Sequence, residues 1–151
     1  MNSDFEIREP TDLSPLLKVR WRNLYPDKVM DPELSRTTDT ANETTHFIAM
    51  ADSSVVGCVT LTKDSAHGRN LRMRWLGVDN DYRGKGIGAA LVQACLTEAG
   101  NRRQGIWLNA RLSATSLYRR LGFEELGNPF ELPEIGLHLV MRTTGPHAHE
   151  K

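Results

Sequence analysis

The chain has only two cysteines, Cys58 and Cys95, and no Cys-x-x-Cys pair. Far apart and both set in apolar segments, they read as buried free thiols of a protein in a reducing cytoplasm, rather than as part of a disulfide framework. An excess of one charge is missing too: Lys and Arg total 19, Asp and Glu total 19. With no basic bias and no aromatic–basic platform, neither nucleic acid nor a membrane is an expected partner, and any electrostatic function must be local. No apolar run approaches the length of a membrane span, and the opening "MNSDFEIREP" lacks the apolar centre of a secretory signal. Internal repeats are absent. A length of 151 residues suits one domain, expected over 1–144, with the polar "GPHAHEK" (145–151) as a flexible tail.

What is present is a regular alternation of strand-like and helix-like patterns. "FEIREP" alternates apolar and charged residues, a short first strand. Leu13, Leu16, Leu17, Arg20, Trp21 and Leu24 recur at helical spacing and predict an amphipathic helix over 12–24. Asp31 to Thr45 is polar, a loop or broken helix of a length more often functional than accidental. "HFIAMA" (46–51) and "SVVGCVTLT" (54–62), joined by "DS", predict an antiparallel hairpin. "LRMRWLGVD" (71–79) is a strand with Arg72 and Arg74 on one face, becoming apolar on both faces at its end. Ile87 to Ala99 is a helix with Gly100 placed to stop it, "GIWLNA" (105–110) a buried strand, and Ser113 a candidate cap for a helix ended by Gly122. "FEEL" and "GLHLVMRT" close the chain as strands. The order describes a mixed α/β domain around one sheet.

Between strand and helix stands "DYRGKGIGAALVQACL" (81–96), with Gly84, Gly86 and Gly88 interleaved with Arg83 and Lys85. The first amides of a helix have no partner inside it and carry partial positive charge, and glycines let an anion reach them. A nucleoside-triphosphate loop would need Ser or Thr after the lysine; Lys85 is followed by Gly86, so that reading fails. "GKGIGA" satisfies a dinucleotide fingerprint loosely, but Gln104 stands where an acid is wanted. A glycine turn used only for close helix–sheet packing stands beside the anion-holding reading from these residues alone.

"LGVDNDYRGKGIGAALV" followed by "NARLSATSLYRRLGFEE" resembles the GCN5-related N-acetyltransferase (GNAT) family. The first block matches the acetyl-CoA signature Arg/Gln-x-x-Gly-x-Gly/Ala through Arg83, Gly86 and Gly88; the second matches a tyrosine helix ending in "LGF", with Tyr118 and Leu121-Gly122-Phe123. The blocks cover roughly 71–125, and the pair is far more specific than either alone. "FELPEIGLHLVM" and "VRWRNLYP" add weaker likenesses to one subgroup. The resemblance implies a GNAT-like α/β (α+β) fold with a single mixed, mostly antiparallel sheet flanked by helices. It implies acetyl transfer from acetyl-CoA to a primary amine by direct attack through a tetrahedral intermediate, with no metal.

In the resemblance the amides of Arg83, Gly84, Lys85, Gly86, Ile87, Gly88 and Ala89 hold the diphosphate. Backbone at Leu76, Gly77 and Val78 pairs with the pantetheine arm, and an amide near Leu76 takes the oxyanion. Tyr118 stands at the general-acid position and against the cofactor, and Asn109 at a polar position beside it; Arg111 faces either a phosphate of CoA or, as the favoured reading, solvent. The acceptor amine needs a base, and the central strands lack the glutamate of the clearest family members. His46, His138, Glu124 and Glu131 are the candidates, with His138 first by its titration range. Arg74 and His46 are expected on the acceptor side, Arg74 favouring an acceptor that carries a carboxylate. The missing glutamate also leaves open a non-catalytic acetyl-CoA sensor or partner domain. Family members occur as monomers and homodimers.

Overall fold

The computed structural model describes residues 4–25, 38–133 and 135–144. In chain order the elements are β1 (Phe5–Arg8), α1 (Leu13–Leu24), β2 (Thr45–Ala51), β3 (Ser54–Ala66), β4 (Arg69–Val78), α2 (Ile87–Asn101), β5 (Ile106–Arg111), α3 (Thr115–Arg120), β6 (Phe123–Leu132) and β7 (Gly136–Thr143). The seven strands form one sheet in the order β1-β2-β3-β4-β5-β7-β6. Pairing is antiparallel for β1–β2, β2–β3, β5–β7 and β6–β7, while β4 and β5 run parallel, joined by the α2 crossover. The expected mixed, mostly antiparallel sheet flanked by helices is therefore the fold. The expected tail, 145–151, and the stretch 26–37 lie outside the described residues.

Contacts group the chain into two units: Met1–Thr62 with Met73–Cys95, and Lys63–Arg72 with Leu96–Lys151. In the first, Leu16 and Val19 of α1 pack with Ile48 and Cys58 of β2 and β3, covered by Leu17, Met50 and Val55. Asp12 caps α1 by accepting from the Ser14 amide at 3.2 Å. The β2–β3 turn holds both Asp52 and Ser53 at positive φ (49° and 65°), the geometry of a tight two-residue hairpin.

In the second unit Leu71, Ile106, Leu108, Phe123, Leu139 and Met141 are buried. Arg69 is buried there as a backbone clamp: its Nε and Nη2 donate to the Thr143 carbonyl at 2.9 and 2.6 Å, and Nη1 donates to the Gly68 carbonyl. Arg72 lies over the Trp107 ring, 4.6 Å from its centroid. The charged face expected on β4 is thus partly a stacking face.

Three local expectations need correction. Gly100 does not stop α2, which continues to Asn101. The stop comes at Arg103, left-handed at φ 57°, where the Gln104 amide returns to the Ala99 carbonyl and the Arg103 amide to Gly100, a Schellman ending with arginine in the glycine position. Ser113 caps nothing: it lies in a tight 3-10 turn, Leu112–Ala114, and α3 starts with no side-chain cap. Finally, β3 and β4 are longer than the apolar pattern, meeting at a turn where His67 and Gly68 take φ of 52° and 76°. Their added residues, such as Lys63 and Arg69, are polar, so alternation of hydrophobicity did not mark them.

Candidate functional site

The end of β4 departs from ordinary strand geometry. Trp75 sits at φ 59°, a left-handed conformation that costs a bulky residue on the order of 1–3 kcal/mol and persists only where surroundings enforce it. Those surroundings are specific. Guanidinium groups of Arg20 and Arg74 lie 4.1 and 4.2 Å from ring centroids of the indole. The indole Nε1 donates to the Tyr25 hydroxyl at 3.3 Å, and the Trp75 carbonyl accepts from the Cys58 thiol at 3.4 Å. Burial pushes that thiol up to about 12, so it stays a neutral donor.

Leu76, Gly77 and Val78 follow. A Cβ on Gly77 would sit 3.1 Å from the Asn23 Cβ and 3.8 Å from the Cys58 sulfur, so glycine is what lets α1 press against the strand. Asp79, next in line, accepts from Arg22 Nε at 2.9 Å, again from Arg22 Nη2, and from Asn23 Nδ2 at 2.7 Å. Burial alone would raise the Asp79 carboxyl, but these donors outweigh it and hold the group below its ordinary value. Asn23 in turn is fixed by donating to the Val19 carbonyl at 2.9 Å. The last turn of α1 therefore grips the point where β4 becomes the glycine turn.

In that turn Gly84 and Gly86 adopt φ of 76° and 86°, conformations open to glycine at little cost, and a Cβ on either would meet nothing within 4 Å. The Gly86 carbonyl accepts the Ala90 amide at 3.0 Å, so the amides of Ile87, Gly88 and Ala89 precede the first helical bond of α2. Gly88 is different: its φ is not positive, and its absent Cβ would lie 4.0 Å from Val78, ordinary contact. Arg83 uses its fork on the protein, donating to the Val78 carbonyl at 2.9 Å, to Asn80 at 3.2 Å and to Asn23 at 3.4 Å. Lys85 lies 5.8 Å from the centroid of the Tyr82 ring, whose hydroxyl donates to Asp52 at 2.7 Å. Helix-start amides that precede the first helical bond, flanked by cations, can hold a diphosphate without a metal.

His46 belongs to the same unit but lies in its interior. Nδ1 pairs with the Thr60 hydroxyl at 2.9 Å and Nε2 with the Asp39 carbonyl at 3.0 Å. Arg20 completes the ring, its Nη1 and Nη2 forking onto the Asp39 carboxylate at 2.9 and 3.0 Å and Nη2 reaching Thr60 at 2.8 Å.

The second unit holds the other expected residues. Tyr118 on α3 is 5% exposed and meets the Phe123 ring edge-on, 5.6 Å between centroids. Asn109 lies opposite Val140 inside β5, which continues to Arg111. His138 is buried and faces Arg111 in register. Its Nδ1 lies 2.8 Å from the Gly136 carbonyl, and a carbonyl only accepts, so Nδ1 donates in that bond. Glu124 is paired with Arg142 at 2.7 Å, and Glu131 lies opposite Leu137 near the end of β6.

Residues that the motifs did not reveal are Asp39, Asp79, Asn23 and the left-handed Trp75. One signal existed. Arg20 falls on the apolar stripe of α1, and a cation on a buried face requires a buried partner.

A left-handed glycine pair between a strand and a helix, in a mixed sheet with a parallel crossover, defines an α/β protein with a glycine turn at a helix start. Comparison with known proteins is more specific. The model of the "Acetyltransferase (GNAT) domain" matches residues 42–125, and the chain belongs to that family. It is 36% identical over 101 residues to YitI of Bacillus subtilis, named as an uncharacterized N-acetyltransferase; the match covers 65% of this chain and 64% of that protein. Matches to the curated relatives span between 40% and 64% of the relatives' own lengths. In fold the chain is similar to an acyl-CoA N-acyltransferase from Pseudomonas aeruginosa, with a TM-score of 0.76, 21% identity and coverage of 95% of this chain and 100% of the other. It is also similar to an aminoglycoside 6'-N-acetyltransferase complexed with coenzyme A, with a TM-score of 0.72, 17% identity and coverage of 91% and 96%. No helix among the described residues is long and apolar enough to cross a membrane.

Proposed function

We propose that the protein transfers an acetyl group from acetyl-CoA to a primary amine of a small molecule or peptide. The observation that carries this reading is the turn Arg83–Ala89 in a chain of the GNAT family: two left-handed glycines deliver helix-start amides next to the end of β4. In this reading the amides of 84–89 take the diphosphate, while Arg83 serves by fixing the turn to Val78 and Asn23. Backbone at Leu76, Gly77 and Val78 takes the pantetheine arm, and the Leu76 amide steadies the oxyanion, a donor of a kind worth about 3 kcal/mol in a dry site.

Tyr118 is assigned to protonate or hydrogen-bond the departing thiolate, and Asn109 to contact the donor. His138, whose Nδ1 is held by the Gly136 carbonyl, is assigned through Nε2 as base for the incoming ammonium. Arg74 and His46 are assigned to the acceptor side, His46 by bracing the interior rather than by a free ring nitrogen, since both its nitrogens have partners.

Calorimetric titration with acetyl-CoA, followed by thiol-release assays on pooled amines, tests the reading. Saturable binding and amine-dependent release of CoA are expected. Absence of acetyl-CoA binding would refute it; binding with no release from any amine would favour the sensor alternative. Tyr118→Phe tests the acid: a fall in kcat of about a hundredfold or more with acetyl-CoA affinity kept is expected. An unchanged kcat removes that role.

A further inference from the structure

We propose that the buried Arg20–Asp39 pair is a positioning device for the end of β4, holding the Trp75 ring and through it the backbone of Leu76–Val78. This rests on the acetyl-CoA reading, in which that backbone takes the pantetheine arm. The starting observation is the left-handed Trp75, which needs an enforcing environment. Arg20 supplies a flat face to the indole at 4.1 Å, and it is 2% exposed, so the stacking occurs away from water where such contacts are strongest.

The hydrogen bonding shows what sets the guanidinium's orientation. Nη1 and Nη2 fork onto Asp39, and Nη2 also donates to Thr60, but Nε is buried with no hydrogen-bond partner. A guanidinium placed for ion pairing alone would not leave a buried donor unmet. The group gives up that bond and lies against the ring. Asp39 and Thr60 fix its plane, and His46 fixes both: its two nitrogens reach the Thr60 hydroxyl and the Asp39 carbonyl. The chain of support thus runs from β2 and β3 through the ion pair to Trp75. A buried pair of this kind contributes little net stability compared with apolar side chains of similar size, so its value lies elsewhere. Arg74, over the same indole at 4.2 Å, leaves Arg20 as the buried member of the two stacked cations, with Arg74 half-buried.

The test removes the pair while keeping the volume. Arg20→Met with Asp39→Leu deletes both charges together, and the His46–Thr60 bond and the residue-39 carbonyl contact remain available. Amide exchange across Trp75–Asp79 is measured by mass spectrometry, and binding is titrated with acetyl-CoA and with the nucleotide half of CoA, cut at its diphosphate and lacking the pantetheine arm. The expected result is about tenfold faster exchange in that segment and about tenfold weaker acetyl-CoA binding, with affinity for the nucleotide half unchanged. Simple destabilisation would lower both affinities alike. Arg20→Lys, which keeps the charge for Asp39 but loses the flat face, is expected to show the same selective loss, and it carries the test if the double variant does not fold. Wild-type exchange in the segment, or equal loss for both ligands, overturns the proposal. If the wild-type protein binds no acetyl-CoA, it is the functional reading that fails, and the exchange measurement alone decides the positioning role.

Discussion

Gly86 and Gly88 stand two residues apart in one motif, yet their backbones make opposite demands. Gly86 is left-handed at φ 86°, and its carbonyl receives the first helical bond of α2. No atom would obstruct a Cβ there, so the cost of Gly86→Ala is conformational alone. A left-handed non-glycine residue costs roughly 1–2 kcal/mol, and the stiffer unfolded chain returns about 0.4–1 kcal/mol of it. The net loss is about 1 kcal/mol, a fall in Tm of about 2–4 °C at this chain length. Gly88 has no positive φ, lies inside the first turn of α2, and its Cβ would meet only Val78 at 4.0 Å. Gly88→Ala therefore gains about 0.5–1 kcal/mol of helix stability and raises Tm by about 2 °C.

The ligand separates the two further. Alanine at position 86 favours a different backbone turn and re-aims the amides of Ile87, Gly88 and Ala89, so acetyl-CoA affinity is expected to fall by about tenfold or more. Alanine at position 88 keeps the helical backbone and is expected to leave affinity within about twofold, as the Gly/Ala alternative in the family signature implies. Thermal melts and calorimetric titration on both variants decide the matter. If Gly86→Ala bound acetyl-CoA as well as the parent, the turn would be a packing feature and the argument for it as the donor handle would collapse. If Gly88→Ala melted lower, the geometry assigned to the start of α2 would be wrong.

Other consequences follow from the same backbone and charge arrangements. Arg103 ends α2 in the left-handed conformation, and Arg103→Gly is expected to raise Tm by about 2–4 °C, a gain of about 1 kcal/mol; a lower Tm would contradict the Schellman assignment. Asp79 is held below its ordinary pKa, because the Arg22 and Asn23 hydrogen bonds outweigh burial, so its stabilising contribution is full above the unfolded carboxylate value and drains away as pH falls through the lowered folded value. Asp79→Asn should flatten that acid limb in urea midpoints measured against pH, and an unchanged limb would refute the coupling. Burial raises Cys58 from 9.0 to about 12, so stability should decline as pH climbs through that interval, and the native thiol should resist iodoacetamide at pH values where the urea-unfolded chain reacts at once.

The elements legible in the sequence were those specified by neighbours along the chain. The 3.6-residue stripe of α1, the alternation in β2 and β3, and the glycine turn before α2 all encode themselves within a dozen residues. The ending of α2 shows the limit of that locality: glycine stands at 100, yet the chain turns at Arg103, because the backbone bonds back to Ala99 and Gly100 outweigh the preference of a single residue. Trp75 is harder still, since nothing in "LRMRWLGV" marks a left-handed residue within a strand. What enforces it comes from Arg20 of α1, from Tyr25 that ends the same helix and from Cys58 of β3, and Arg20 depends in turn on Asp39. Such a site is written in the sequence only as an inconsistency: an arginine on an apolar stripe with no visible partner. An inconsistency of that kind is where tertiary structure overrides local pattern, and those are the places where function and strain concentrate. Arg20 on the stripe of α1 was therefore the one local clue to the left-handed strand end that the acetyl-CoA reading assigns to the pantetheine arm.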